Sequence, residues 1–274
     1  MKCAGLMNSF VVGIIIVLIA FFMVFFLAIK MGYMANQDAD VNICRVTLAA
    51  QKLSQMRVTL SDVRLDSSLA SACKRRLVDI DDTGIYLVKK NNRESKIPVY
   101  FSNANTLTKT STYTLKESPA RTQEALASHF SESMRQCWFK GLEGKIEVFN
   151  DESVIFTSRV CMLCDETHVQ LTNGTVPKGA WLSSYQSGTN MPNEKNLQTY
   201  EQYLYTLLNA DGDLYAGGQP RCLYDAGIAD NPTLRDGSYA TIFFRDFAKI
   251  QNGCMAVAVV PAQQVRSICA YIAN

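Results

Sequence analysis

Nine cysteines are the residues whose type and spacing come nearest to chemistry in this chain, and two of them, Cys161 and Cys164, enclose Met162-Leu163 in a CxxC. In a thiol-disulfide enzyme that motif opens a helix, whose dipole lowers the pKa of the first thiol. Here it ends a β-branched run, Ser153 to Cys164, with no helix signal behind it. Two structural cysteines, bridged elsewhere or to each other, are the better reading, and a tethered oxidoreductase using Cys161 and Cys164 is the alternative. Zinc could draw on Cys137, Cys161, Cys164 and His168, but there is no second CxxC and only His129 accompanies His168. Nucleophilic catalysis would need one of those two histidines. His129 sits beside Phe130 in a helical pattern, His168 sits in polar Asp165-Glu166-Thr167-His168, and neither has a Gly-flanked serine elbow nearby. Both read as ordinary surface or boundary residues.

Weaker signals resolve into turns. Asn209 to Asp213 resembles the start of a calcium loop, but its sixth position is Leu214 and no Glu follows at the twelfth. Asp79, Asp81 and Asp82 form an acidic group of the kind usually just solvated, and Gly217-Gly218-Gln219-Pro220 lacks the lysine and helix of a phosphate loop. No catalytic residue, metal or cofactor is expected.

The cysteines say more about compartment. Cys3 precedes an apolar run, whereas Cys44, Cys73, Cys137, Cys161, Cys164, Cys222, Cys254 and Cys269 follow it. An even number after the run suits a disulfide framework, and an oxidising exterior favours one. A fifteen-residue loop and a helix folding back on its strand suggest Cys254–Cys269, with Cys137 joining the Cys161/Cys164 region. The sequon Asn173-Gly174-Thr175 is a glycosylation candidate consistent with that side of a membrane.

The run itself, residues 10–29, contains no charge, and sixteen of its residues are Leu, Ile, Val or Phe. At roughly 0.3–0.6 kcal/mol each, insertion is favoured by about 5–10 kcal/mol. Its length of about 30 Å equals a hydrocarbon core. It exceeds a signal-peptide core and no small-x-small site follows, so an uncleaved signal-anchor is expected. Lys2 lies before it, and Lys30 and Arg45 after it, a weak asymmetry that the cysteines decide in favour of a cytoplasmic N-terminus. The domains are then a cytoplasmic 1–9, a transmembrane helix at 10–31, a juxtamembrane stalk helix at 32–57 and an external disulfide-rich domain at 58–274. The lipid bilayer is the partner of residues 10–31. The stalk stripe Ile43, Val46, Ala50 and Leu53 suits self-association or a protein partner. A formal charge of +2 with no basic stripe excludes a nucleic-acid-binding signature.

The external part reads as α+β, with a mainly antiparallel sheet and packed helices. Strands are expected at 84–90, 97–101, 109–115, 145–149, 153–164, 238–247 and 254–260. The clearest helix runs from Ser118 and Pro119 to Gly141, with Leu126, Phe130, Met134, Cys137 and Trp138 on one face and a left-handed Gly141 as its stop. A second helix is expected at 196–208 and a third from Pro261, with Val265, Ile268, Cys269 and Ile272 sharing a face. Residues 172–195 and 209–237 read as loops.

On these blocks the chain resembles a group of archaeal single-pass membrane proteins of no known activity. The blocks are the anchor followed by Ile43-Cys44-Arg45-Val46, the helix end Met134-Arg135-Gln136-Cys137-Trp138-Phe139 with the strand to Val148, Val160 to Cys164, the Tyr-rich Tyr200–Tyr205 and the C-terminal hairpin and helix with Cys254 and Cys269. Where the group reads Trp-x-x-Phe-Gly-Glu-Gly-Lys, this chain has Trp138-Phe139-Lys140-Gly141-Leu142-Glu143-Gly144-Lys145. The resemblance implies the architecture and no mechanism. A long N-terminal helix with a β-rich head also resembles a type IV pilin, although cleavage after Gly5 would put Phe10 where pilins carry an acidic residue. The expected function is therefore a membrane-anchored cell-surface binding or envelope-structural protein, with thiol exchange or pilin-like assembly as alternatives.

Overall fold

Val78 and Ile80 alternate with Leu77, Asp79 and Asp81, and that period of two seats one face of the first strand in the core. In this computed structural model the described residues are 43–44, 46–47, 73, 75–103, 106–141, 159–172, 177, 179–192, 198–205, 223, 227–246 and 254–273. Strand β1 (Arg76–Asp81) turns through Asp82-Thr83 into β2 (Gly84–Lys89). The Asp81 carboxylate closes that turn, accepting from the Thr83 N–H at 2.8 Å and the Gly84 N–H at 3.2 Å. Lys90 and Asn91, left-handed at φ 49° and 64°, turn the chain into β3 (Asn92–Lys96) with the twist that a two-residue hairpin needs.

A separate hairpin follows, β4 (Val99–Asn103) and β5 (Thr106–Thr110). Helix α1 (Pro119–Lys140) starts as expected, with the Ser118 hydroxyl accepting from the Arg121 N–H. Then come β6 (Arg159–Gln170), α2 (Trp181–Gly188), α3 (Tyr200–Tyr205), β7 (Gly237–Asp246) and β8 (Cys254–Pro261). A 3-10 turn (Ala262–Gln264), α4 (Val265–Ile268) and β9 (Tyr271–Ala273) complete the order.

The main sheet is ordered β3-β2-β1-β6-β7-β8, with β9 also on β6. Its pairings are antiparallel except β1–β6 and β9–β6. The expected α+β class with a mainly antiparallel sheet is thus present. The parallel pairs share one flank of β6: β1 lies along Asp165–Gln170 and β9 along Val160–Met162.

Both faces of the sheet are covered where β6, β7 and β8 meet. On one, Val160, Met162, Phe243, Val257 and Val259 pack beneath α1, with the Trp138 ring centre 5.7 Å from that of Phe243, the two planes tilted at 53°. On the other, Cys161, Ile242, Phe244, Ala256, Ala258 and Val260 pack with Val265 and Cys269 of the segment that crosses from β8 to β9. The β4–β5 hairpin sits across α1. The Tyr100 N–H of its inner strand donates to Ser128 at 2.8 Å and the Ser102 N–H to Glu124, so helix side chains satisfy a strand edge.

Several expectations are corrected. Residues 181–188 are helical inside the expected 172–195 loop, because Asn231 caps that helix from across the fold, accepting from the Leu182 and Ser183 N–H groups at 3.0 Å each. β6 does not stop at Cys164 but runs to Gln170, and the strand expected at 109–115 lies at 106–110. The second helix begins at Tyr200 and not at 196, and 206–208 lie outside the described residues. The C-terminal helix is only one turn, because the chain must fill the flank of β6 that β1 leaves open and extends into β9. Gly141 is not left-handed: its φ is −70°, and glycine is required there because a Cβ would lie 2.8 Å from the Phe243 ring.

Residues 10–31 lie outside the described ones, as do the expected strand at 145–149 and the loop at 209–213. Among the described residues no helix is long and apolar enough to cross a membrane. Of the expected stalk, Ile43, Cys44, Val46 and Thr47 are described and helical.

Candidate functional site

Cys161 and Cys164 are three apart on β6, so the pleat already points them to opposite faces. Cys164 bonds Cys137 of α1, with the Cα atoms 5.6 Å apart. Cys161 bonds Cys269 of the crossing segment at 5.7 Å. A third bridge joins Cys44 to Cys73. The expected Cys254–Cys269 pair is corrected by the topology. Cys254 is opposite Asp246 on β8, two strands from β6, whereas Cys269 arrives directly over Cys161. Cys137 does join the 161/164 region. Cys222, Asn173 and the Cys254 side chain lie outside what is described. The four zinc candidates are dispersed: Cys137 and Cys164 share one bridge, Cys161 is in another, and His168 is on the exposed side of the strand. Among the described residues no group of three or more His, Cys, Asp and Glu side chains is placed to hold a metal.

The main concentration of buried polar groups was not visible in the sequence. A β-bulge between Leu163 and Asp165 breaks the alternation, so Cys164 and Asp165 both face α1. Asp165 is fully buried and receives Arg76 through both carboxylate oxygens, at 2.7 and 2.5 Å. Ser133 donates to the same carboxylate, and its oxygen is 2.9 Å from the Thr241 hydroxyl. Burial pushes the Asp165 pKa up, but the adjacent Arg76 charge, with Lys140 and the Ser133 hydroxyl, outweighs it and holds the carboxyl down at about 2. His129, one helical turn before Ser133, is 4% exposed and not the surface or boundary residue expected. Burial holds its pKa down at about 4, with Arg76 pushing the same way and Asp165 and Glu132 pulling back.

At the outer side of α1, Glu132 receives Arg135 at 2.6 and 2.8 Å, Gln136 at 2.9 Å and the Tyr200 hydroxyl at 3.3 Å. Burial raises its pKa, yet Arg135 prevails and the net direction is down. This cluster docks α3 on α1.

The open part of the second sheet face carries a further set. Cross-strand register aligns Lys96, Tyr86, Asp79, His168 and Ser238 in one row over five strands. His168 Nδ1 is 3.3 Å from the Ser238 hydroxyl. Asp79, however, is engaged by Arg93 at 2.9 and 3.0 Å, and Arg93 also pairs Asp81 at 2.5 Å. Lys96 is held by the Thr83 and Tyr113 carbonyls and lies 4.5 Å from the Tyr113 ring centre. Both charges of the row are thus engaged by groups outside it, and His168 and Ser238 stand in solvent, where a hydroxyl gains no desolvated environment for attack. The Asp165 carboxylate, conversely, is buried.

Comparison with family models, with curated proteins and with solved structures finds no match to this chain. What the arrangement can do chemically is hold layers together: one strand, β6, is bonded covalently to the layer above and the layer below, and ionically to β1.

Proposed function

We propose that this chain is a membrane-anchored, externally exposed binding or envelope-structural protein whose head carries no catalysis. The observation that carries the reading is the bonding of Cys44, Cys73, Cys137, Cys161, Cys164 and Cys269 in three bridges, a use of cysteine that belongs to an oxidising compartment. The uncharged run at 10–29 supplies the anchor, with residues 1–9 cytoplasmic and the rest outside. Ile43 and Val46, 55% and 66% exposed, support contact through the stalk, with a second copy or another protein. The sequence blocks from Ile43 to Val46 and from Met134 to Val148 ally the chain with the archaeal single-pass group.

Against the thiol-exchange alternative stands the position of Cys161 and Cys164 on opposite faces, each already bonded to a distant cysteine. The pilin-like alternative depends on processing near Gly5, so an intact Met1–Lys2 terminus in membranes is incompatible with it.

Protease added to intact cells or right-side-out vesicles should digest the chain beyond residue 32 once the bridges are reduced, and leave the anchor membrane-bound. Disulfide mapping of an unreduced portion of the same cells or vesicles should return the three bridges. A head protected in sealed cells, or six free thiols in freshly quenched membranes, overturns the proposal.

A further inference from the structure

Two bonds tie helix α1 to strand β6: Cys137 to Cys164, and Ser133, four residues earlier, to Asp165. One further turn back along α1 lies His129. His129 Nε2 and the Thr167 hydroxyl are both buried with no hydrogen-bond partner among the described residues. Those two ties are a covalent bond and a charged hydrogen bond, whereas the His129 ring packs edge-on to Phe130, with centroids 5.2 Å apart.

A proton on His129 would find no uncommitted counter-charge. From β6 it faces Asp165, already neutralised by Arg76 and bonded by Ser133. From β1 it faces Arg76, which repels it. On its own helix Glu132 is taken by Arg135, Gln136 and Tyr200, and Lys140 acts on Asp165. The charged groups that act on the ring are thus Asp165, Arg76 and Glu132. Burial accordingly keeps the ring neutral down to a pKa of about 4.

The two halves of α1 are tied differently. Beyond Ser133 the helix is bonded to the sheet by Cys137–Cys164, whereas before it the helix carries the β4–β5 hairpin on Ser128 and Glu124, and α2 through the Phe130–Trp181 contact at 5.9 Å. We propose that His129 is an acid-sensitive latch: its protonation releases the N-terminal half of α1, with the hairpin, from the sheet and from Trp181 of α2, while Cys137–Cys164 holds the C-terminal half in place. This inference is independent of where the head resides.

Amide exchange on the intact chain, corrected for intrinsic rates, tests it directly. Protection at 125–131 should fall about tenfold for each pH unit below about 6.5, the slope of one linked proton, and level off near 4. Protection at 136–140 should hold over the same interval. The chain has only two tryptophans, one on each side of the divide. With Trp138→Phe, the remaining Trp181 should report the acid step, and with Trp181→Phe, the remaining Trp138 should not. His129→Gln should abolish the step. If any variant fails to fold, exchange on the parent chain still decides, together with the NMR titration of its two histidine rings. Simultaneous loss of protection in both halves, an unchanged step in His129→Gln, or a His129 ring titrating near 6.5 overturns the latch.

Discussion

Asp165 is the residue on which most of the interior polar chemistry converges. Its charge is compensated by Arg76, and removing that charge strands a guanidinium whose side chain is 18% exposed. Asp165→Asn should therefore cost about 3–5 kcal/mol, the usual result of breaking one side of a buried pair. Ser133→Ala deletes one hydroxyl bonded to the carboxylate, and about 1–3 kcal/mol is expected. Urea denaturation with intact bridges separates the two: similar midpoints for both variants would show that Arg76 finds another partner. Neither effect is readable in the sequence, where Asp165 stands in a polar stretch and looks solvated. The bulge at Leu163/Asp165 turns it inward, and a bulge leaves no residue signature when neither position is glycine.

At the scale of elements, the segment between β8 and β9 is held by Cys161–Cys269, which closes 108 residues. Replacing Cys269 with Ser should lower stability by about 2–5 kcal/mol and expose one new thiol. Peptide mapping after alkylation should find the new label on Cys161, and a label on Cys254 that the parent chain lacks would reinstate the pairing that the sequence spacing suggests. Helix α2 illustrates the same dependence on distant chain. Its Ala180 end has no local side-chain cap, and Asn231 provides one from a separation of 49 residues. Asn231→Ala should cost about 1 kcal/mol, in the range of an ordinary N-cap, and raise exchange at Leu182 and Ser183 before that of β6. No loss at those two amides would mean that α2 is held by Trp181 packing alone.

For the molecule as a whole, the buried groups that titrate below neutrality set one sign. His129 is depressed from 6.5 to about 4, and Asp165 from 3.8 to about 2. In both cases the unfolded chain binds the proton more readily, so stability is complete above the unfolded pKa and is lost as pH falls through the folded one. The His129 window, 6.5 down to about 4, contributes about 3 kcal/mol. The Asp165 window opens only below 3.8. Thermal melts at fixed ionic strength should thus show a first decline between pH 6.5 and 4 that His129→Gln removes, and a second below pH 4 that it does not. A melting temperature flat from pH 7 to 4 would contradict the assignment.

What the sequence determined by itself is local or periodic in origin. The strand at 84–90, the stripe from Leu126 to Trp138, the Ser118-Pro119 start and the α+β class follow from side-chain period and capping, which act within a few residues. The number and spread of cysteines marked an oxidised framework, and the stretch at 10–29 marked an anchor that stands as an expectation. Tertiary structure alone decided which cysteine meets which, because pairing depends on the path of β9 around β6 and not on separation along the chain. It also decided that His129 is interior, that Asp165 faces α1 and that residues 181–188 are helical. Each of these depends on groups brought together from distant parts of the chain: a bulge set against β7, a helix laid across a sheet, and an asparagine 49 residues away.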